Sequence, residues 1–328
     1  MRKLLVIAAD QETLGAKPGP HTFKPAHEVE LKAAAGSEME VIIATPTQAT
    51  SHVAVAEAVA AFPMRMPKSA EVPNAKWLHS FSAGVDKILS PEVAASDVML
   101  SSSSGIHATP IAEHILGSLL IFARGFAQSF HAQQAHAWKK DEGLRELRDS
   151  TVLIVGLGAI GKEAARLAAS FGARVSAVSR SGSGKPDFVE RLEKSEMLDA
   201  MLPEADYVVI TLPGIEETKH LFDKQKFALM KKSAVLINIG RGSIVKESDL
   251  IDALNGGMIA GASLDVFETE PLPAESALWS MKNVVITPHH SGLSHRYMDR
   301  AITLLCENIR AYIKGAPLPS LVDKTLGY

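Results

Sequence analysis

Thr151-Val-Leu-Ile-Val-Gly156-Leu-Gly158-Ala-Ile-Gly161 is the stretch whose reading decides the fold. Thr151 to Val155 is a short apolar run of the kind buried on both faces of a parallel sheet, and Lys162 to Phe171 carries alanine and leucine at helical spacing. The order is strand, tight turn, helix. Gly156 permits the turn, Gly158 lets the backbone approach a pyrophosphate, and Gly161 lets helix and strand pack closely. The helix N-terminus, through Ala159 and Ile160, offers N–H groups to the anion. A glycine triplet alone is a weak signal. A second strand at Arg174 to Val178, after Gly172, completes the pattern of a dinucleotide site.

That second strand also bears on which dinucleotide binds. An NAD site usually carries Asp or Glu here, about 20 residues past the glycines, to take the ribose 2′-hydroxyl. This strand ends instead on Ser179, Arg180 and Ser181, followed by Gly182 and Gly184. A guanidinium flanked by hydroxyls suits a 2′-phosphate, so NADP(H) is favoured over NAD(H). The competing reading has Arg180 stacking on adenine or solvated in a loop.

With 328 residues the chain exceeds the size at which one core stops growing, so two α/β domains are expected. The formal net charge is −3 with no basic run, which indicates neither a nucleic-acid footprint nor a membrane-surface patch. Small ligands are the expected partners. A lone cysteine, Cys306, excludes an internal disulfide and fits a reducing cytoplasm. The N-terminus resembles a signal peptide only briefly. Its apolar stretch is short and is interrupted by Asp10, so it reads as a first buried strand.

Strand-like and helix-like runs alternate from the beginning, the pattern of parallel α/β layers. In the first lobe Lys3 to Ala8, Glu40 to Ala44, Trp77 to Ser80 and Val98 to Ser101 read as strands, with Val53 to Phe62 helical between two of them. A long helix is expected from Thr109-Pro110, where Thr can cap and Pro suits the first turn, through Ile115, Leu119 and Phe122 toward Trp138. Strands at 206–212, 234–239, 259–266 and 284–287, with a helix over 248–254, then extend the sheet. The expected fold is α/β: two Rossmann-like or flavodoxin-like lobes, with a doubly wound parallel sheet in the nucleotide domain. A last helix over 296–314 comes too late for that sheet and is expected to return to the first lobe. This gives a discontinuous substrate domain, 1–105 plus 294–328, and a dinucleotide-binding domain, 106–293.

Chemistry concentrates at the ends of the late strands, where open α/β sheets place their ligands. Asn238-Ile239-Gly240-Arg241-Gly242 ends one strand, Asp265-Val266-Phe267-Glu268-Thr269-Glu270-Pro271 the next, and Thr287-Pro288-His289-His290-Ser291 the last. A guanidinium can hold a carboxylate and polarise a neighbouring carbonyl. An imidazolium can protonate the oxygen as hydride reaches carbon, and a carboxylate can raise the imidazole pKa and orient the ring. Together these groups suit reduction of a 2-oxo acid. Other histidines, such as His131 and His136, show no metal spacing, and hydride transfer needs no metal.

Across nearly its whole length the chain resembles the D-isomer-specific 2-hydroxyacid dehydrogenase family. Besides the cofactor loop and the three strand ends, Phe81-Ser-Ala-Gly-Val-Asp86 is similar to the family's substrate loop, and Gly105-Ile-His-Ala-Thr-Pro-Ile-Ala-Glu-His114 to the start of its interdomain helix. The resemblance implies that Arg241 binds and polarises the substrate, His289 donates the proton, Glu270 is its acidic partner, and Asp265 lies near the nicotinamide. Backbone N–H groups of Ala83, Gly84 and Val85 would meet the substrate carboxylate. Glu268 competes with Glu270, and His290 with His289. The resemblance further implies a homodimer, with Trp138 either at a partner's cleft or packed in an interface or core, and a cleft between lobes that closes on a small 2-oxo or 2-hydroxy acid. Formate dehydrogenase shares the architecture but carries Gln where this chain has Glu270, which disfavours formate. A nucleotide-sensing corepressor on the same fold is the alternative outside enzymology. Glyoxylate or hydroxypyruvate is weakly favoured as substrate. A phosphorylated 2-oxo acid is disfavoured, because no basic cluster marks the first lobe.

Overall fold

Strand β6 (Thr151–Val155) lies between β7 (Arg174–Ser179) and β9 (Tyr207–Ile210), and its central place explains why its side chains are buried on both faces. A computed structural model describes residues 1–8, 19–140 and 143–327; Asp10 falls outside them. They form two units, 1–107 with 293–328 and 108–292.

The first unit contains β1 (Arg2–Ile7), α1 (Pro25–Ala35), β2 (Met39–Ala44), α2 (Pro46–Ala49), β3 (Ala58–Ala61), β4 (Trp77–Ser80), α3 (Pro91–Ala95) and β5 (Met99–Ser102). The second contains α4 (Ala108–Ala123), α5 (Phe126–Gln134), β6, α6 (Ala159–Ser170), β7, β8 (Arg191–Lys194), α7 (Leu198–Met201), β9, α8 (Lys224–Leu229), β10 (Val235–Asn238), α9 (Glu247–Asn255), β11 (Gly261–Leu264) and β12 (Val284–Ile286). The chain then returns to the first unit through α10 (Tyr297–Ile313). Both sheets are parallel, ordered β2-β1-β3-β4-β5 and β12-β11-β10-β9-β6-β7-β8.

Alternation along the strands builds the layers. Val152 and Ile154 join the core that holds Ile115 and Leu119 of α4 and Ala164 and Ala168 of α6. Leu153 and Val155 face the opposite core, with Phe227 of α8 and Leu250 of α9. Fully burying each such aliphatic side chain contributes roughly 1.5–3 kcal/mol. In the first unit Leu4 and Val6 pack with α1 and α10, while Leu5 and Ile7 face the other side. Among the described residues no helix is long and apolar enough to cross a membrane.

The structure corrects the sequence reading at several elements. Val53 to Phe62 is not helical: a 3₁₀ turn at Val53–Val55 leads into β3, whose four residues are fully buried between β1 and β4. Alanine favours helices, but a run this small and apolar also fits the middle of a sheet, and tertiary burial overrode propensity. The long helix does not reach Trp138. It breaks at Gly125, which takes a left-handed φ of 63°, and α5 stops at Gln134; Trp138 lies beyond it, 96% exposed. Thr109 sits inside the first turn of α4 rather than capping it. Strand β8 has no counterpart in the sequence reading, because Arg-Leu-Glu-Lys at a sheet edge is largely polar and lacks an apolar run.

Candidate active site

Strands β10, β11 and β12 are parallel neighbours, with Asn238 beside Leu264 and Leu264 beside Ile286, so the segments that follow them leave from one edge of the sheet. After β10 the chain turns tightly. The buried Asn238 side chain accepts from the Gly240 N–H at 3.1 Å and donates to the Arg241 carbonyl at 3.1 Å, bracing the turn from inside. Gly242 is required by packing. A Cβ there would lie 2.5 Å from the Glu268 amide nitrogen and overlap the Phe267 carbonyl. Arg241 is exposed, its Nη1 donates to the Gly240 carbonyl at 2.9 Å, and its stem lies against Gly214, where a Cβ would come within 2.8 Å of Arg241 Cγ.

Glu270 and His289 come together. Glu270 Oε2 lies 2.7 Å from His289 Nδ1, while Oε1 accepts from the Phe267 N–H at 3.0 Å. Both carboxylate oxygens are thereby oriented. With the carboxylate ionised, Nδ1 carries the proton it donates, leaving Nε2 as the nitrogen able to meet a ligand. His289 takes a left-handed φ of 51°, unusual outside glycine, at the tip of the loop after β12. The His289 and Glu270 side chains are 50% and 36% exposed. A histidine–carboxylate pair so open to water contributes only about 0–1 kcal/mol to stability. Chemistry accounts for its geometry better than folding does.

The competing residues go elsewhere. Glu268 pairs with His220 Nε2 at 2.7 Å, and His290 gives its backbone N–H to Asp265 at 3.1 Å while its ring stands edge-on to His114. Asp265 is buried, and it accepts from the Thr287 hydroxyl and, at 3.0 Å, from the Ser291 N–H. The carboxylate thus sits inside the loop that presents His289. Burial alone would raise its pKa, but the hydrogen bonds from Ser291, Thr287 and the His290 amide outweigh that and hold it below the usual carboxylate value. A pKa depressed on folding contributes stability above the unfolded-state pKa, and that contribution is lost as pH falls through the folded one. Asp265→Asn should therefore lower the melting temperature at neutral pH and flatten its decline toward acid. Superimposable melting curves against pH would exclude this role.

Further along the same edge, after the central β6, lies the glycine turn. The sheet's order reverses between β6 and β9, the place where doubly wound folds bind nucleotides. Gly156 has a φ of 106°, and a Cβ on it would come within 2.9 Å of Leu212. A Cβ on Gly161 would overlap the Gly156 carbonyl oxygen, which also accepts from the Thr211 hydroxyl. Gly158, the N-cap of α6, faces open space, with Ala159 and Ile160 in the first turn behind it. This cradle fits a pyrophosphate. At the end of β7, Ser179 Oγ accepts from the Gly182 N–H at 3.1 Å, and the Ser181 hydroxyl caps Ser183. Ser179 is paired in register with Lys194 of β8, whose stem lies against Gly182, so a second cationic side chain belongs to the end of β7. Sequence reasoning could not find Lys194 without β8. Asn238 and Thr287 lay within quoted motifs, but only their contacts give them positioning roles.

Ala83, Gly84 and Val85 lie in the first unit, in the loop after β4. The Ser82 N–H donates to Ser80 Oγ, and Tyr297 of α10 donates to the Phe81 carbonyl at 2.7 Å, which anchors the loop's entry. Val85 is buried and its carbonyl accepts from Ile88 and Leu89.

Residues 116–291 match the D-isomer specific 2-hydroxyacid dehydrogenase, NAD binding domain family. A glyoxylate reductase of Thermofilum pendens is 33% identical over 257 residues, 77% of this chain and 76% of that protein. A crystal structure of a D-isomer specific 2-hydroxyacid dehydrogenase family protein from Aeromonas salmonicida is 33% identical, with a TM-score of 0.83 over 98% of this chain and 99% of that one. An NADPH-dependent glyoxylate/hydroxypyruvate reductase of Sinorhizobium meliloti, solved with NADP and sulfate, is 29% identical with a TM-score of 0.80 over the full length of both. The matched domain, the relatives and the glycine cradle agree, and the chain belongs to the D-isomer specific 2-hydroxyacid dehydrogenase family.

Proposed function

We propose that this chain uses NADPH to reduce a small 2-oxo acid, of the glyoxylate or hydroxypyruvate kind, to the D-2-hydroxy acid. The observation that carries the reading is the 2.7 Å pair of His289 and Glu270, on the sheet edge where Arg241 also leaves its strand. Arg241 holds the substrate carboxylate and polarises the carbonyl through charge-assisted hydrogen bonds. His289 passes its Nε2 proton to the carbonyl oxygen, and Glu270 stabilises the imidazolium from which that proton comes. The bound nicotinamide supplies the hydride. In this reading the first unit is the substrate domain, and the backbone N–H groups of Ala83, Gly84 and Val85 take the substrate carboxylate. None of the three donates to an acceptor among the described residues.

The test is oxidation of NADPH by the purified protein with glyoxylate and hydroxypyruvate, with the product's configuration read by chiral chromatography. No oxidation with any 2-oxo acid would overturn the reading. The alternative of a nucleotide-sensing corepressor draws no support from the reductases found among the relatives.

For the cofactor, β7 ends on Ser179, Arg180 and Ser181 without a carboxylate, and Lys194 stands opposite Ser179. The S. meliloti relative was solved with NADP. The expected kcat/KM for NADPH exceeds that for NADH by about tenfold or more, the scale of one hydrogen bond to a charged group, and Arg180→Ala narrows the gap. A preference for NADH would show that Arg180 serves another purpose. A homodimer fits the α5 side of the second unit, where exposed Phe126 and Phe130 stack and Trp138 stands open. A reducing cytoplasm suits the buried Cys306, whose thiol burial pushes up to about 11.

A further inference from the structure

The five-stranded sheet, ordered β2-β1-β3-β4-β5, reverses its order between β1 and β3. Open parallel sheets bind ligands outside the carboxyl ends of their strands at such a point. Phe62 and Arg65 follow β3 directly, Phe81 follows β4, and His21 lies between β1 and α1. Tyr297 and Arg300 are one turn apart at the start of α10, on the same helix face. His21, Phe62, Phe81 and Tyr297 form a contiguous group, with Arg65 beside His21 and Arg300 one helical turn after Tyr297. The His21 ring lies 4.9 Å from Phe62 and 4.6 Å from Tyr297, Phe62 lies 5.5 Å from Phe81, and the Tyr297 hydroxyl holds the Phe81 carbonyl.

One nitrogen of each arginine has no structural explanation. The Nη1 atoms of Arg65 and Arg300 are buried and have no hydrogen-bond partner among the described residues. A buried guanidinium nitrogen ordinarily meets a carboxylate or a carbonyl, and one left without either marks a strain or a binding role. The carboxylate on the same turn, Asp299, is engaged with Lys24 and His27 instead. The His21 imidazole is held below its ordinary pKa first by burial and then by the positive charge of Arg65, so the two groups share one neighbourhood.

We infer that this end of the first unit is an anion subsite that receives a second negatively charged group, a carboxylate or a phosphate, at the far end of the 2-oxo acid. The inference rests on the 2-oxo acid reading above and narrows it. Phe81 is two residues before Ala83, so the amides proposed to take the substrate's own carboxylate adjoin this group along the chain. The first lobe shows no basic cluster in sequence, yet folding brings Arg300 of α10 back to the unit that carries Arg65. Guanidinium forks suit both carboxylate and phosphate.

The experiment compares substrates matched in shape. Oxaloacetate is paired with 4-methyl-2-oxopentanoate, and 2-oxoglutarate with 5-methyl-2-oxohexanoate, an isopropyl group replacing the end carboxylate in each. The phosphate ester of hydroxypyruvate, set against hydroxypyruvate itself, forms the phosphate arm. Binding is measured by calorimetry with the reduced cofactor present, and kcat/KM by its oxidation. In at least one pair the anionic member should be favoured about 10- to 100-fold, the scale of one or two hydrogen bonds to a charged group. Arg65→Gln and Arg300→Gln should each cut that ratio about tenfold. Preference confined to one arm supports the subsite and identifies its ligand. Ratios near one in every pair, or a ratio unmoved in both variants, overturn the subsite while leaving the reductase reading intact. Preferential anion binding with no turnover supports the subsite and overturns the reductase reading. Should the variants fail to fold, the ratios of the unmodified protein decide.

Discussion

His289→Asn lowers kcat for 2-oxo acid reduction by roughly 10²- to 10⁴-fold, the range contributed by a positioned general acid. Asparagine fills much of the same space and can hydrogen-bond to Glu270, but it has no proton to release at neutral pH. Because the pair is exposed, its loss should cost only about 0–1 kcal/mol of stability, so the variant melts close to the parent. Reduction in the unmodified protein draws on the imidazolium and should slow as pH rises. The residual rate of the variant should lose that dependence. Steady-state kinetics across pH, alongside melting curves, check both, and undiminished turnover would remove His289 from the mechanism.

Gly242→Ala should be nearly as damaging, although the residue carries no functional group. Its added methyl would lie 2.5 Å from the Glu268 nitrogen and overlap the Phe267 carbonyl, both backbone atoms that cannot swing aside as a side chain could. The segment forced to move supplies the Phe267 N–H that orients Glu270, and Gly242 itself adjoins Arg241. Misplacement by about 1 Å can cost roughly 10²-fold in rate, so kcat/KM should fall by about that factor. Overpacking should also cost about 1–3 kcal/mol. Gly117→Ala is the matched control. That glycine lies within α4 with nothing inside 4 Å of its added Cβ, so alanine there should be neutral or slightly stabilising. Equal behaviour of the two variants would show that the Gly242 contact is yielding.

Much of the fold was legible because its signals are local. The apolar run at Thr151–Val155, the glycines after it and the switch to helical spacing lie within one short window, and each constrains the backbone by sterics. The guanidinium between glycines at Arg241 was legible for the same reason. Reading failed where burial rather than spacing decided. Ala58–Ala61 has a helix-compatible composition and becomes a central strand only because β1 and β4 flank it. Arg191–Lys194 has no apolar period and becomes a strand because β7 offers an edge.

By itself the sequence determined the nucleotide cradle, the parallel α/β class and the short set of acids, bases and guanidinium from which an active site could be drawn. Tertiary structure decided the pairings: Glu270 with His289, Glu268 with His220, and Asp265 buried within the loop that carries both histidines. It also placed Arg65 and Arg300, each with a buried Nη1 that has no hydrogen-bond partner among the described residues, in one unit. The physical reason is range. Backbone sterics and periodicity act over a few residues, whereas a hydrogen bond between segments 19 or 48 positions apart exists only once the strands that carry them are side by side.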